Sequence, residues 1–346
     1  MLQAPPQPAV LATSVASYLV APAAGRRVTA WLEYPAARAT TPDAAARRRA
    51  NRLFVADRAG RGAHVVYDGG CAAAQACDTV AAPQAGADTI LYAVADGRHA
   101  DLAAASMKLQ PSRLVAQMSQ PAGGAPPPFA LAGPAAVWYT RGLVRERPPD
   151  LKTAATTLVG APAGGTVRAV GRSEPVTAWI ARSSSGQDTV YEQLDGGRPT
   201  LLYRESRRGT QLTALAPLDG GRVAVVALHS ANGARSASVL LVTPRVAKAE
   251  VLATTVASPA AQTYSPVLSS FGQRVAFRRR VGSARGLADQ IVVLDVLRGT
   301  TRVIATQPLR TGRLSDPSLG FGRVVWSAAV LSSGRLVRSS VLATPA

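Results

Sequence analysis

Three histidines, two cysteines and a triple serine are the residues through which this chain would do covalent or metal chemistry, and their spacing argues against it. His64, His99 and His229 share no H-x-x-H or H-E-x-x-H spacing, so a metal site would need three distant segments to converge. Ser183, Ser184 and Ser185 precede Gly186 without a G-x-S-x-G elbow, and read as a turn between two strands. No G-x-x-x-x-G-K-[ST] phosphate loop is present, and no G-x-G-x-x-G follows a strand. These patterns predict no cofactor, no metal and no nucleophile–base pair. Cys71 and Cys77 stand in CAAAQAC, which is not the C-x-x-C of a zinc site. A local disulfide is expected there, with two independent thiols as the alternative; the bond would imply an oxidising compartment. So short a loop gains at most about 2–3 kcal/mol in the chain-entropy estimate. A thiol reagent added to the denatured, unreduced protein should label neither cysteine; labelling of both would refute the bond.

The cationic chemistry is richer. The formal charge is +19, from 39 basic and 20 acidic residues. Only Lys108, Lys152 and Lys248 are lysine, which leaves 39 − 3 = 36 arginines. Arginine grips carboxylate or phosphate through two parallel hydrogen bonds. Arginine over lysine, with abundant Ala, Gly, Pro and Val, also follows the codon usage of GC-rich bacterial genomes, so composition drift and a functional surface both account for the charge. Either way the field attracts acidic polymers and anionic surfaces. Nucleic acid is not expected, because the Arg segments lack interleaved aromatics for base stacking. No apolar run reaches the length of about 18 residues that a membrane-spanning helix needs. The segment MLQAPPQPAVLATSVASYLV lacks a basic start and is broken by Pro and Ser, which makes it a poor signal peptide. A periplasmic or extracellular location with a leader not visible in this chain is expected, with the cytoplasm as the alternative.

The elements that would position these residues recur. A turn followed by a short apolar run reads GRRVTAW from Gly25, GPAAVWY from Gly133, EPVTAWI from Glu174, GRVAVVA from Gly221, GQRVAF from Gly272 and GRVVW from Gly322. A weaker copy, GADTILYAV, starts at Gly86. With Val28, Ile90, Val137, Val176, Val223, Val275 and Val324 aligned, the steps are 62, 47, 39, 47, 52 and 49 residues. An all-strand repeat of about 40–50 residues predicts propeller blades. The expectation is therefore an all-β, seven-bladed propeller of four-stranded blades, one domain over residues 1–346 with a loop insertion at 35–51. PAGGAPPPF and RERPPD read as loops of the third unit. Trp31, Trp138, Trp179 and Trp326 fall in the second strand of their units, where packing between blades asks for bulk.

The ends complement each other. The seventh unit, DPSLGFGRVVWSAAVL and RLVRSSVLA, stops one strand short, while AVLATSVA near the N-terminus precedes the first inner strand. Pairing Val10 to Val15 beside Val337 and Val341 would close the ring and cover an open edge. In such a ring the loops joining second and third strands share one face, and they would present Arg98, Arg141, Arg182, Arg235, Arg279 and Arg335, with Arg47, Arg48, Arg49, Arg145, Arg280 and Arg285. These are the candidate ligand-binding residues.

In the sixth unit SPVLSSFGQRVAF, followed by QIVVLDVLRGTTRVIAT, resembles the propeller repeat of the TolB family, and DPSLGFGRVVW of the seventh unit is a partial match. The Asp-Gly turn of that repeat is replaced by Phe271–Gly272 and Phe321–Gly322. The resemblance covers about 90 C-terminal residues; it implies a propeller that binds proteins and transfers no ligand residues. The function expected is a non-catalytic protein-interaction or scaffold module of the bacterial envelope, with an Arg-rich face for acidic partners. The alternative is a lyase or hydrolase of polyanionic carbohydrate with a site built from blade loops. Gathering of the three histidines in space would favour it.

Overall fold

The computed structural model describes residues 7–36, 52–69, 79–95, 99–107, 112–119, 127–132, 135–140, 143–147, 154–160, 165–195, 197–232, 234–246, 248–255, 258–259, 266–283 and 286–346. These form seven antiparallel sheets in chain order, the blades of a closed propeller. No α-helix occurs among the described residues; the short 3-10 turn Asp219–Gly221 lies between two strands.

Local chemistry explains the strands. Blade 6 consists of Ser269–Phe271, Arg274–Ser283, Gly286–Asp295 and Thr300–Pro308, rich in Val, Ile and Thr and punctuated by turns at Gly272 and Gly299 with φ of 63° at each. All seven marker residues, from Val28 to Val324, lie in second strands and are buried. Cores form between blades: Ala224, Val226, Val239 and Leu241 of blade 5 meet Val275, Phe277, Val292 and Leu294 of blade 6. Each sheet is thus covered on both faces, which is why its strands read as nearly continuous apolar runs. The inner strands of blades 2 and 7 are each split into two short pieces, Thr79–Val80 with Gln84–Ala85 and Gly312–Leu314 with Ser318–Gly320.

The N-terminal strand Ala9–Ser14 is the outer strand of blade 7, as expected. It pairs antiparallel with Arg335–Pro345, placing Val10 opposite Leu342 and Ala12 opposite Val341. Across this seam Leu19, Trp31 and Ala56 of blade 1 pack on Val325, Val341 and Ala343 of blade 7, with Leu11 and Ala12 against them. Backbone polar groups are tied across it too: the Leu19 N–H donates to Ser339 Oγ at 3.0 Å and the Ala24 N–H to Ser318 Oγ at 3.0 Å. The turn of blade 1 between its third and outer strands lies so close to the N-terminal strand that a Cβ on Gly60 would sit 2.3 Å from the Leu11 carbonyl oxygen. Gly60 also has φ +83°, a conformation that costs a β-branched residue strain. Gly60→Val is therefore expected to lose at least about 2 kcal/mol of stability, read as a fall in the urea midpoint; an unchanged midpoint would show that the contact is not needed.

Two sequence readings change. RERPPD is not wholly a loop, because Arg145, Glu146 and Arg147 belong to the third strand Leu143–Arg147 of blade 3. The four tryptophans are all buried, but they stand three, one, three and two residues past their markers, so their equivalence is loose. Trp31 stacks on Phe54 at 5.8 Å and Trp179 on Tyr191 at 5.7 Å. Most of the insertion at 35–51 lies outside the described residues, as do Cys71 and Cys77.

Candidate binding faces

Because strands alternate in direction, the loops between second and third strands emerge at one end of the ring, here the loop face. The turns joining inner to second and third to outer strands emerge at the other, the turn face. On the loop face Arg98 and Arg141 lie outside the described residues, as do Arg47, Arg48, Arg49 and Arg285. The remaining candidates sit on strands rather than in loops. Arg182 ends the second strand Val176–Arg182 and forks onto Asp188, at 2.8 and 3.0 Å. Asp188 is fully buried and also accepts the Leu212 N–H of blade 5 at 2.8 Å, so this pair joins two blades. Arg279 donates to Gln290 Oε1 at 3.0 Å, and Arg280 to Asp289 Oδ1 at 3.1 Å. Asp289 in turn lies 3.2 Å from buried Arg278, which reaches the Leu314 carbonyl of blade 7 at 2.6 Å. Arg235 and Arg335 are exposed at the starts of their third strands.

The loop face also holds an acid–base cluster around His229. Arg207 forks onto Glu205 at 2.9 and 2.8 Å, and the Tyr203 hydroxyl donates to Glu205 at 3.1 Å. Burial acts to raise the Glu205 pKa, but the bonds from Arg207 outweigh it and hold the carboxyl below its ordinary value. Burial, with Arg207 nearby, holds His229 below the usual imidazole range, and its Nδ1 lies 2.8 Å from Thr210 Oγ1. The other histidines are elsewhere: His99 begins a strand of blade 2, and His64 lies at the turn face of blade 1. The three do not gather, and the carbohydrate-cleaving alternative loses the arrangement that would have favoured it.

The turn face carries an arginine system that sequence reasoning missed. Arg27, Arg222, Arg274 and Arg323 each stand immediately before a marker valine, at the start of the second strand. Each points to the following blade. Arg27 reaches Asp88 of blade 2 at 3.3 Å, and Arg222 bonds Gln273 of blade 6. Arg274 reaches the Ala346 carbonyl beyond blade 7 at 3.1 Å. Arg323 is buried and donates to Gly25 O at 3.3 Å, Val28 O at 3.1 Å, Thr29 Oγ1 at 2.6 Å and Arg58 O, all in blade 1. Burial lowers its pKa to about 10, which leaves it fully charged at neutral pH. The signal was in the motifs themselves, where R-V recurs four times in one register.

Beside Arg323 the seam opens into a depression of about 680 Å³ on the turn face. Five arginines (26, 27, 58, 61 and 323) and one carboxylate, Asp57, line it, so the charge of its wall is 5 − 1 = +4. Asp57 accepts the Arg61 and Ala59 N–H groups at 2.8 Å each and the Arg61 guanidinium at 3.1 Å. The Arg61 amide bond is the largest influence holding this carboxyl below its ordinary value. The rest of the lining is mainly apolar, including Val10, Leu11, Ala343 and Pro345.

Among the described residues, one buried acid elsewhere pairs with no cation. Glu192, in the third strand of blade 4, has an Oε2 without a hydrogen-bond partner among the described residues, and burial raises its pKa. An acid raised in the folded state favours folding while protonated, below its unfolded value near 4.5, and stability falls as pH rises above that. Glu192→Gln is therefore expected to raise the melting temperature at pH 7 and to make little difference at pH 4; equal effects at both would show that ionisation is not the cause.

No protein-family model matches the chain, and no curated protein sequence matches it. Solved structures do. The β-propeller domain of the Trilobed protease from Pyrococcus furiosus, reported with an open velcro topology, is similar over 94% of this chain and 95% of that chain, with TM-score 0.57 and 9% identity. YCF48 bound to D1 peptide is similar over 96% of each chain, with TM-score 0.51 and 10% identity. TolB from Acinetobacter baumannii covers 82% of this chain at 13% identity and TM-score 0.48, and the chain spans 62% of that protein's length. At these identities what is shared is the β-propeller fold.

Proposed function

We propose that this propeller is a non-catalytic protein-interaction module that engages acidic partners, working in the bacterial envelope. The observation that carries the reading is the turn-face depression, where a +4 wall surrounds an apolar lining. Arginine is enriched at protein-binding interfaces, and its guanidinium grips a carboxylate through two parallel hydrogen bonds. The C-terminal TolB-like repeats support an envelope setting. No helix among the described residues is long and apolar enough to cross a membrane. YCF48 offers a precedent in another protein, a propeller solved with a bound peptide.

Fluorescence anisotropy with labelled polyglutamate tests the reading. Binding should occur at low salt, and its affinity should fall as salt rises, because exposed charges are screened within about 10 Å at 0.1 M. Polylysine should not bind. Absence of polyglutamate binding, or release of unsaturated uronate from a polyanionic carbohydrate, would overturn it.

A further inference from the structure

We propose that the seam depression, together with the aromatic pair beside it, docks an acidic segment of a partner protein that carries an apolar anchor residue. This rests on the reading of the chain as a module for acidic partners and assigns it a place. Most of the depression's cations are accounted for inside the protein. Arg323 is consumed by acceptors of blade 1, Arg61 by Asp57 and Arg27 by Asp88. Two are not. The Arg26 side chain has no partner among the described residues, and Arg58 makes only a 3.5 Å contact to the Phe321 carbonyl, at the outer limit of a hydrogen bond. Both project from turns of blade 1 with donors left over for a carboxylate.

Next to them stands the substitution that set this chain's repeats apart. Phe271 and Phe321 occupy the turn position where the repeat it resembles has Asp, and their rings pack at 5.0 Å with a 48° tilt. Phe271 is 43% exposed. Phe321 has φ +50° and Gly322 φ +76°, a turn that favours Asn or Asp at the first position and strains a bulky residue. Local folding does not explain an exposed Phe271 packed on a strained, half-buried Phe321; a partner that covers the pair does. The Arg58 contact to Phe321 joins this pair to the depression, whose lining includes Val10, 61% exposed. Guanidinium groups for carboxylates and an apolar bed for one side chain thus lie side by side.

A peptide suits this surface better than a nucleic acid. The apolar lining offers no amide or hydroxyl side chain except Thr344 to satisfy base edges. A second copy of this chain, also carrying +19, is disfavoured by repulsion.

The test uses a labelled Asp/Glu peptide with a central Leu-Phe pair, the same peptide with Ser-Ser in its place, and an oligothymidylate of similar charge. The Leu-Phe peptide should bind the full chain more tightly than the other two. The double variant Arg26→Glu/Arg58→Glu should weaken it about tenfold or more. Phe271→Ser/Phe321→Asn should bring it to the level of the Ser-Ser peptide, with a melting temperature no lower than that of the unaltered protein. Arg235→Glu/Arg335→Glu on the loop face should change affinity less than about twofold. Equal binding of both peptides, equal losses from the two faces, or tighter binding of the oligonucleotide would overturn the proposal. Polyglutamate binding that is lost only with the loop-face variant would sink this site and leave the acidic-partner reading standing. If polyglutamate does not bind at all, that reading itself has failed.

Discussion

Deletion of the residues before Ser17 is expected to lower the melting temperature by roughly 5–10 °C and to promote aggregation. The strand Ala9–Ser14 supplies five paired positions along Arg335–Pro345 and lays Leu11 and Ala12 over the seam core. A net contribution near 1 kcal/mol for each ladder hydrogen bond and about 1–2 kcal/mol for the part-buried leucine makes a loss on the order of 5 kcal/mol. The deletion also uncovers the edge of the strand carrying Val337, Val341 and Ala343, a row of unpaired donors and acceptors ready to pair with another chain. In a ring of nearest-neighbour contacts the seam is the one junction not held by chain continuity, so damage there should spread. Differential scanning calorimetry and light scattering read both effects. A truncated protein that melts at the same temperature and scatters no more light would show that this strand is not the clasp.

Arg323→Met should cost about 3 kcal/mol, more than any other exchange in the turn-face arginine system. Methionine fills much of the space but removes the donor to the Gly25 and Arg58 carbonyls and the Thr29 hydroxyl, while the Val28 carbonyl keeps the Gly25 N–H at 2.9 Å. Arg323→Lys keeps the charge, yet one ammonium cannot reproduce the planar fork, so it should recover less than half of the loss. Arg274→Met, in the same register of blade 6, is the control. Its side chain is 37% exposed, and it should cost no more than about 1 kcal/mol. Equal losses at the two positions, measured by urea unfolding, would show that burial at the seam confers nothing special. Combined with the N-terminal deletion, Arg323→Met should be less than additive, because both act on the junction of blades 7 and 1.

Much of the architecture was legible because it is written in local properties. Apolar runs of strand length, glycine-bearing turns and a period averaging (324 − 28)/6, about 49 residues, are features of adjacent residues, and they located every second strand, including the weak copy at Ile90. The orphan strand was legible for a related reason: a unit one strand short at one end and a spare strand at the other admit one closed pairing. The arginines were not legible in the same way. With 36 of them, a position near a loop meant little, and four of the six candidates turned out to lie on strands. Arg182 and Arg279 are engaged by cross-strand neighbours, Asp188 and Gln290.

By itself the sequence determined the number of blades, their order and the strand that closes them, since hydrogen-bonded ladders need only alternation and turns of the right length. Which guanidinium groups hold the ring together and which remain free was decided by tertiary structure alone. Arg323 meets its acceptors in Gly25, Val28, Thr29 and Arg58, nearly the whole chain away, and Arg26 is left beside them with none among the described residues. The same side chain is a buried tie in one place and an open hand in the other. The difference is the distance to acceptors on the next blade, which is set by how the ring closes.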